Sequence, residues 1–319
     1  MNAQRPTRRF GMALSILLAV AALAGATIVS KRLVNPRAPW TAPKPKLALG
    51  TEATGAVAPV DDSGIFQVTS ATGVVEAQRD GRWIAVKQGD ILTRADLVRT
   101  AAGARAVLQL SAGSEIELRE RVEIGLDRLP SGPTVDLRRG KVLARVRGTE
   151  ALAITSHETR TANEGPARFV VLSDPQGRVS VATLSGTARF AAGGKVIALS
   201  PGTQSSSEAG APPADPERIP EEIFLEVVWP AGEQRHAIDH TEIHGRAAPS
   251  SVVTVNGSPA AVGADGQFTT SLPLREGKNA VAVEVEDLSG RSRQAATTVV
   301  RRGPPPPALT PETTELWKK

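Results

Sequence analysis

The stretch Gly73–Thr100, GVVEAQRDGRWIAVKQGDILTRADLVRT, decides how the chain is read. Val74 and Glu76 begin an alternating run, and Asp80-Gly81 is the residue pair that a tight hairpin asks for. A second run passes through Trp83, Ile84 and Val86, turns at Gly89-Asp90 and reaches Leu92. Two-residue Asp-Gly loops favour positive φ and match the twist of the flanking strands. This is β-hairpin sequence, and the same grammar continues for more than two hundred residues.

Composition agrees. Gly 29 and Pro 24 among 319 residues, with abundant Val and Thr, favour a turn-rich all-β chain. Hydrophobic residues make up 40%, but aromatics only 3%, with no Tyr, so the core must be aliphatic. Cys is absent, which excludes disulfides, a lipid-anchored cysteine, thiolate catalysis and Cys-ligated zinc. The net charge of +5 and pI of 9.9 invite a nucleic-acid reading. The arginines are instead spread over many strands beside acids, as in LRERVEIGLDR, and stacking aromatics are scarce, so no nucleic-acid partner is expected.

Working outward, residues 1–10 form a short basic head, and 11–29 an uncharged apolar run ending before Lys31-Arg32. A membrane-crossing helix needs ~20 residues, so this run is long enough to span as a signal anchor. Ala22–Ala24 also suits a signal-peptidase site behind a shorter apolar core, so cleavage stays open. The bulk of the chain is then expected outside the cytoplasmic membrane. Residues 30–63 are Pro- and Ala-rich and read as a tether. Strand signals fill 64–207, 208–222 form a second Pro-rich linker, and 223–302 carry a second β unit. The Pro-rich tail occupies 303–319.

The layout of 64–207 resembles the FecR domain of bacterial cell-envelope proteins. The residues that carry it are strand, Asp80-Gly81, Trp83, Gly89-Asp90, Leu92 and Arg99-Thr100, then Leu137-Arg-Arg-Gly140-Lys-Val142, read as a turn, and Ile154-Thr155. Gly165-Pro-Ala-Arg-Phe169 stands where the family commonly has Gly-Thr-x-Phe, with Pro166 replacing threonine. Val179-Ser-Val181, Gly186 and Gly202 close the match. The resemblance implies a twisted or solenoid-like β-sheet. The 223–302 unit is similar to the bacterial Ig-like modules found beside glucodextranase-type enzymes, on Ile243, Gly245, Val255, Phe268, Asn279, Asp287 and Gly290. That implies an Ig-like β-sandwich, with Gly245 at a turn.

FecR proteins that regulate sigma factors carry a folded cytoplasmic segment before the membrane span. Here MNAQRPTRRF precedes it, far below the ~40 residues at which a domain folds unaided. The sensing side is matched and the output side is not, so no direct sigma-factor contact is expected.

Chemistry-bearing constellations are few. His236, His240 and His244 are spaced by four, which on a helix grips zinc. In a strand His240 and His244 share a face but stand ~13 Å apart, too far to chelate one ion. Asp265 and Asp287 lack the six to eight oxygens that calcium wants and read as turn residues. Asp61-Asp62 and Glu221-Glu222 fall in linkers, and Ser185 and Ser205–Ser207 lack the strand-turn-helix setting of a nucleophile. Trp83 and Trp229 read as core or edge residues rather than sugar platforms. No catalytic, metal or cofactor-binding residue is assigned, and no cofactor is expected. The expectation is a membrane-tethered, non-enzymatic binding, scaffolding or sensory module. Its candidate partners are envelope proteins or polysaccharide and peptidoglycan, met at the Asn256-Gly257 and Asp265-Gly266 loops or, alternatively, by addition to an exposed edge strand. Two alternatives are the periplasmic part of a sigma-regulating system and an accessory module of a carbohydrate-active enzyme.

Overall fold

The computed structural model describes residues 66–303, except 111–112, 130–131 and 236–237. The expected membrane span at 11–29, the head, the 30–63 tether, nearly all of the tail and His236 lie outside the described residues. Among the described residues every regular element is a strand, and no helix is long and apolar enough to cross a membrane.

The first lobe opens with β1 (Phe66–Thr72), β2 (Val75–Arg79), β3 (Arg82–Ala85), β4 (Ile91–Leu92) and β5 (Leu97–Thr100). Next come β6 (Arg105–Gln109), β7 (Glu115–Leu118), β8 (Glu123–Leu129), β9 (Gly132–Val146) and β10 (Ala153–Ser156). β11 (Thr159–Ser173), β12 (Val179–Ala192), β13 (Lys195–Leu199), β14 (Thr203–Ser207) and β15 (Glu217–Arg218) complete one hydrogen-bonded, unclosed network.

The opening hairpin forms as its residues require. Asp80 and Gly81 have φ of 49° and 75°, and Arg79 faces Arg82 across the turn. Val75 and Ala77 are buried, but β3 pairs only with β2, so its alternation meets no core and Ile84 is 51% exposed. Trp83 is an edge residue, with the Arg99 guanidinium 3.9 Å from its ring centroid.

Long strands fold this network over a single core. The Leu137–Val142 segment, expected as a turn, lies inside the 15-residue β9. Before Gly140, β9 pairs with β8 and, in parallel, with β10; after it, with β7 and β11. Gly140 has φ of 91°, and a Cβ there would stand 2.9 Å from Val122 Cα, so the strand changes partners at a residue that permits the bend. A second bend lies between β11 and β12. Glu164 pairs with Thr187 and Arg168 with Ser185, so Gly165, Pro166 and Ala167 bulge opposite Gly186. Phe169 and Val171, just past the bulge, point into the main core with Phe66, Phe190, Leu108 and Ile124.

Residues 208–222, expected as a linker, are tied down. β15 pairs with β14, Ile219 N–H donates to Gly202 O at 2.9 Å, and Lys195 pairs with Asp215 at 2.8 Å.

The second lobe comprises β16 (Leu225–Val228), β17 (Glu233–Gln234), β18 (His240–Ala247) and β19 (Val252–Val255). β20 (Ser258–Ala260), β21 (Gln267–Pro273), β22 (Gly277–Glu286) and β23 (Ser292–Arg301) complete it. The sheets β16-β18-β21 and β17-β23-β22-β19-β20 enclose Ile243, Val253, Val255, Phe268, Val283 and Val285, which makes an Ig-like sandwich. Asn256-Gly257 forms the expected hairpin turn, with φ of 47° and 74°. Gly245 does not turn the chain. It sits mid-strand in β18, where a Cβ would come within 2.3 Å of the Phe268 ring, so its lack of a side chain seats that ring.

Candidate ligand cleft where the two lobes meet

A strand presents alternate residues to opposite faces, so the first lobe's sheet has a second face that its core does not use. The register fixes what stands on it. Leu172 lies opposite Lys141, Val170 opposite Leu143, and Arg168 opposite Arg145. On the other side of β9, Glu117 faces Leu143 and Glu115 faces Arg145. The face is a grid of charges around an aliphatic strip. Arg145 pairs with Glu115 at 2.7 Å, Arg105 with Glu117 at 2.7 Å, and Arg119 with Glu117 at 3.0 Å.

The second lobe docks on the aliphatic strip. Leu288 is buried with Val170, Leu172 and Ala182, and Val252 and Ile219 pack around them. Polar contacts surround this small cluster. Lys141 Nζ donates to the Glu286 carboxylate and, at 3.0 Å, to Asp287 O. Arg119 reaches the same carboxylate at 3.2 Å. Arg121 Nη2 donates to Gly257 O at 2.8 Å, and Arg178 Nη1 to Pro249 O at 3.0 Å. Arg178 is only 4% exposed and is balanced by Glu208 at 2.7 Å.

Lys141 is 6% exposed, and burial pushes its ammonium below the ordinary lysine value of 10.5 against the pull of Glu286. The native state therefore releases this proton at lower pH than the unfolded chain does. Between the two values the unfolded state holds more protons, so stability rises with pH in the window just below 10.5. Urea denaturation at a series of alkaline pH values should show that rise in the wild type and its flattening in Lys141→Met. Tyr and Cys, which titrate in the same range, are absent from the chain.

Beside the docking contacts the lobes leave a cleft of about 550 Å³. Arg105, Arg119 and Lys141 stand on the first-lobe wall, and Val252, Pro259 and Ala261 on the second. A second cavity of about 230 Å³ shares Arg105, Arg119, Lys141 and Glu286 with it. A cationic wall facing an aliphatic one suits a ligand that carries a carboxylate or other anion next to an apolar part.

The residues singled out in the sequence fall as follows. The hairpin closed by Asn256-Gly257 borders the cleft, and its turn is already engaged by Arg121. The Asp265-Gly266 turn is not among the cleft residues; Asp265 Oδ1 accepts from Gln267 N–H at 3.0 Å and holds its own loop. Asp287 does the same for the β22–β23 turn. Burial pushes its carboxyl up, but Ser289 and Arg291 outweigh that and hold it below the usual value. His240 and His244 are both exposed on one face of β18. His240 meets Asp239 at 2.7 Å, while His244 meets Thr269 at 3.0 Å and Glu242 at 3.3 Å. No group of three or more His, Cys, Asp or Glu side chains able to hold a metal occurs among the described residues. Ser205–Ser207 lie in β14, with Ser205 donating to Ala214 O at 2.7 Å. Trp229 packs against the sandwich core. Lys141, Arg119, Arg168 and Glu286, which shape the junction, were not singled out. Lys141, Arg168 and Glu286 are single charges in alternating strands and Arg119 directly follows β7, and only the fold brings them together.

Two family models match the chain. Residues 96–189 match the FecR protein family and residues 242–302 match glucodextranase, domain B. The FecR match begins after the opening β2–β3 hairpin. No curated protein matches. Among solved structures, a candidate anti-sigma factor from Parabacteroides distasonis ATCC 8503 is 12% identical, with a TM-score of 0.34. That alignment covers 38% of this chain and 59% of the other. A polysaccharide lyase is 10% identical over 75% of this chain and 40% of its own, with a TM-score of 0.20. A candidate membrane-anchored protein from Corynebacterium diphtheriae is 11% identical over 77% and 61%, with a TM-score of 0.22. Superpositions this loose leave the assignment to the family models. The chain is therefore similar over residues 96–189 to the FecR protein family and over residues 242–302 to glucodextranase, domain B.

Proposed function

We propose that the chain is a non-enzymatic binding module of the cell envelope, tethered through 11–29 and engaging its partner at the cleft where the two lobes meet. One observation carries this reading: the FecR segment and the domain B segment are docked face to face, with a mixed cationic and aliphatic cleft between them. A sensory role is the natural use of such an arrangement, because a ligand that touches both lobes favours one docking geometry over others. The tagged full-length chain, drawn from membranes, should retain a specific envelope protein or peptidoglycan. Ala261→Arg, placed on an exposed residue of the cleft wall, should abolish that retention while leaving the circular-dichroism spectrum unchanged. Turnover of a glycan or peptide by the purified chain would overturn the non-enzymatic reading. A reporter active only outside the cytoplasm, fused after Lys319, tests the topology. The match to glucodextranase domain B favours one second reading, an accessory module of a carbohydrate-active enzyme. Retention on a soluble polysaccharide, with no protein partner, would select it.

A further inference from the structure

The smaller cavity has a composition that the docking contacts alone do not explain. Its walls bring together four cations, Arg105, Arg119, Lys141 and Arg168, with two carboxylates, Glu117 and Glu286. The pairings use up three of the cations. Arg105 and Arg119 hold Glu117, and Arg119 and Lys141 hold Glu286. Arg168 is left over. It stands beside the bulge of β11, opposite Arg145 and Ser185, and its Nε is shut off from solvent with no hydrogen-bond partner among the described residues. A buried donor without a partner calls for an ordered water or an ion. Here the excess of positive charge favours the ion. At about 230 Å³ the cavity exceeds the ~30 Å³ share of one water several times over.

We propose that this cavity binds a small oxyanion, a phosphate or carboxylate group, with Arg168 as its main ligand and Arg105 and Arg119 beside it. The planar guanidinium fork fits two oxygens of either group. The walls come from both lobes, so occupancy favours the docked state by mass action. The two cavities share Arg105, Arg119, Lys141 and Glu286, but the inference turns on Arg168, which does not line the larger cleft, and it needs no membrane tether.

The test is titration of the purified full-length chain with inorganic phosphate, glycerol phosphate and acetate. Chloride holds the ionic strength constant, and both calorimetry and the thermal midpoint are read. At least one oxyanion should bind saturably and raise the midpoint. Inorganic phosphate or acetate alone would identify a free ion; glycerol phosphate as well would identify an esterified headgroup-type ligand. Arg168→Gln should weaken binding by about tenfold or more. Its midpoint without oxyanion should match the wild type, because Arg168 Nε has no native partner to lose. Arg145→Gln, which removes a neighbouring cation that lies outside the cavity, should titrate as the wild type does. Equal effects of all three probes and of chloride, or unchanged binding by Arg168→Gln, would overturn the proposal.

Discussion

Glu286→Ala is expected to destabilise the chain by about 2–3 kcal/mol and to split its thermal unfolding into two steps. Removing one member of a buried ion pair costs ~3–5 kcal/mol, because the remaining charge stays out of water without its partner. The figure is scaled down here because the Glu286 side chain is 23% exposed. The orphan would be Lys141, whose burial already works against its charge. Two lobes docked through a small aliphatic cluster and a few polar contacts depend heavily on this pair. Differential scanning calorimetry reads both effects. In the wild type one transition is expected, and in the variant the second lobe should melt separately. The double variant Lys141→Met, Glu286→Leu should regain most of the loss, since apolar replacement of both partners is often neutral. A single unshifted transition in Glu286→Ala would show that the ion pair does not couple the lobes.

Gly186→Ala is expected to cost about 3 kcal/mol, at the top of the common range for one substitution. Two effects add. The φ of 70° is a conformation that L residues rarely adopt, and the new Cβ would stand 2.1 Å from Pro166 O. Neither obstacle is a flexible side-chain end. Relief requires moving the bulge of β11, whose own Ala167, like Phe169 just past it, belongs to the main core. At ~2–4 °C per kcal/mol for a unit of this size, the midpoint should fall by roughly 6–12 °C. Gly194→Ala makes the control. Its φ of 76° carries the same backbone strain, but nothing lies within 4 Å of the added Cβ, so the loss should be clearly smaller. Equal losses in the two variants would mean that the bulge accommodates the methyl group.

What the sequence could show was whatever depends on near neighbours. Asp80-Gly81 and Asn256-Gly257 were legible because the turn needs positive φ at both central residues, and few other pairs supply it. The all-β class followed from alternation, and both family segments followed from glycines and aliphatics at fixed intervals. Local reading misled where a residue's role depends on a distant strand. Gly140 and Gly245 both look like turn glycines. One bends a continuous strand that changes partners, and the other makes room for a ring 23 residues away in sequence. The junction was not legible at all. Lys141 and Glu286 are separated by 145 residues, and each follows an alternation that reads as an ordinary solvent-facing charge. The histidines went the other way. A spacing of four looked like chemistry, the strand assignment placed His240 and His244 on one open face, and each is held there by local partners.

The same separation bears on time as well as on stability. A contact that closes a loop this long cannot help the early steps of folding, because the chain must first lose the entropy of bringing its ends together. It forms once both lobes are already built. Interactions absent from the transition state act on escape from the native state and leave the rate of reaching it nearly unchanged. Lys141 and Glu286 therefore bear on how long the two lobes stay docked and not on how fast they come together.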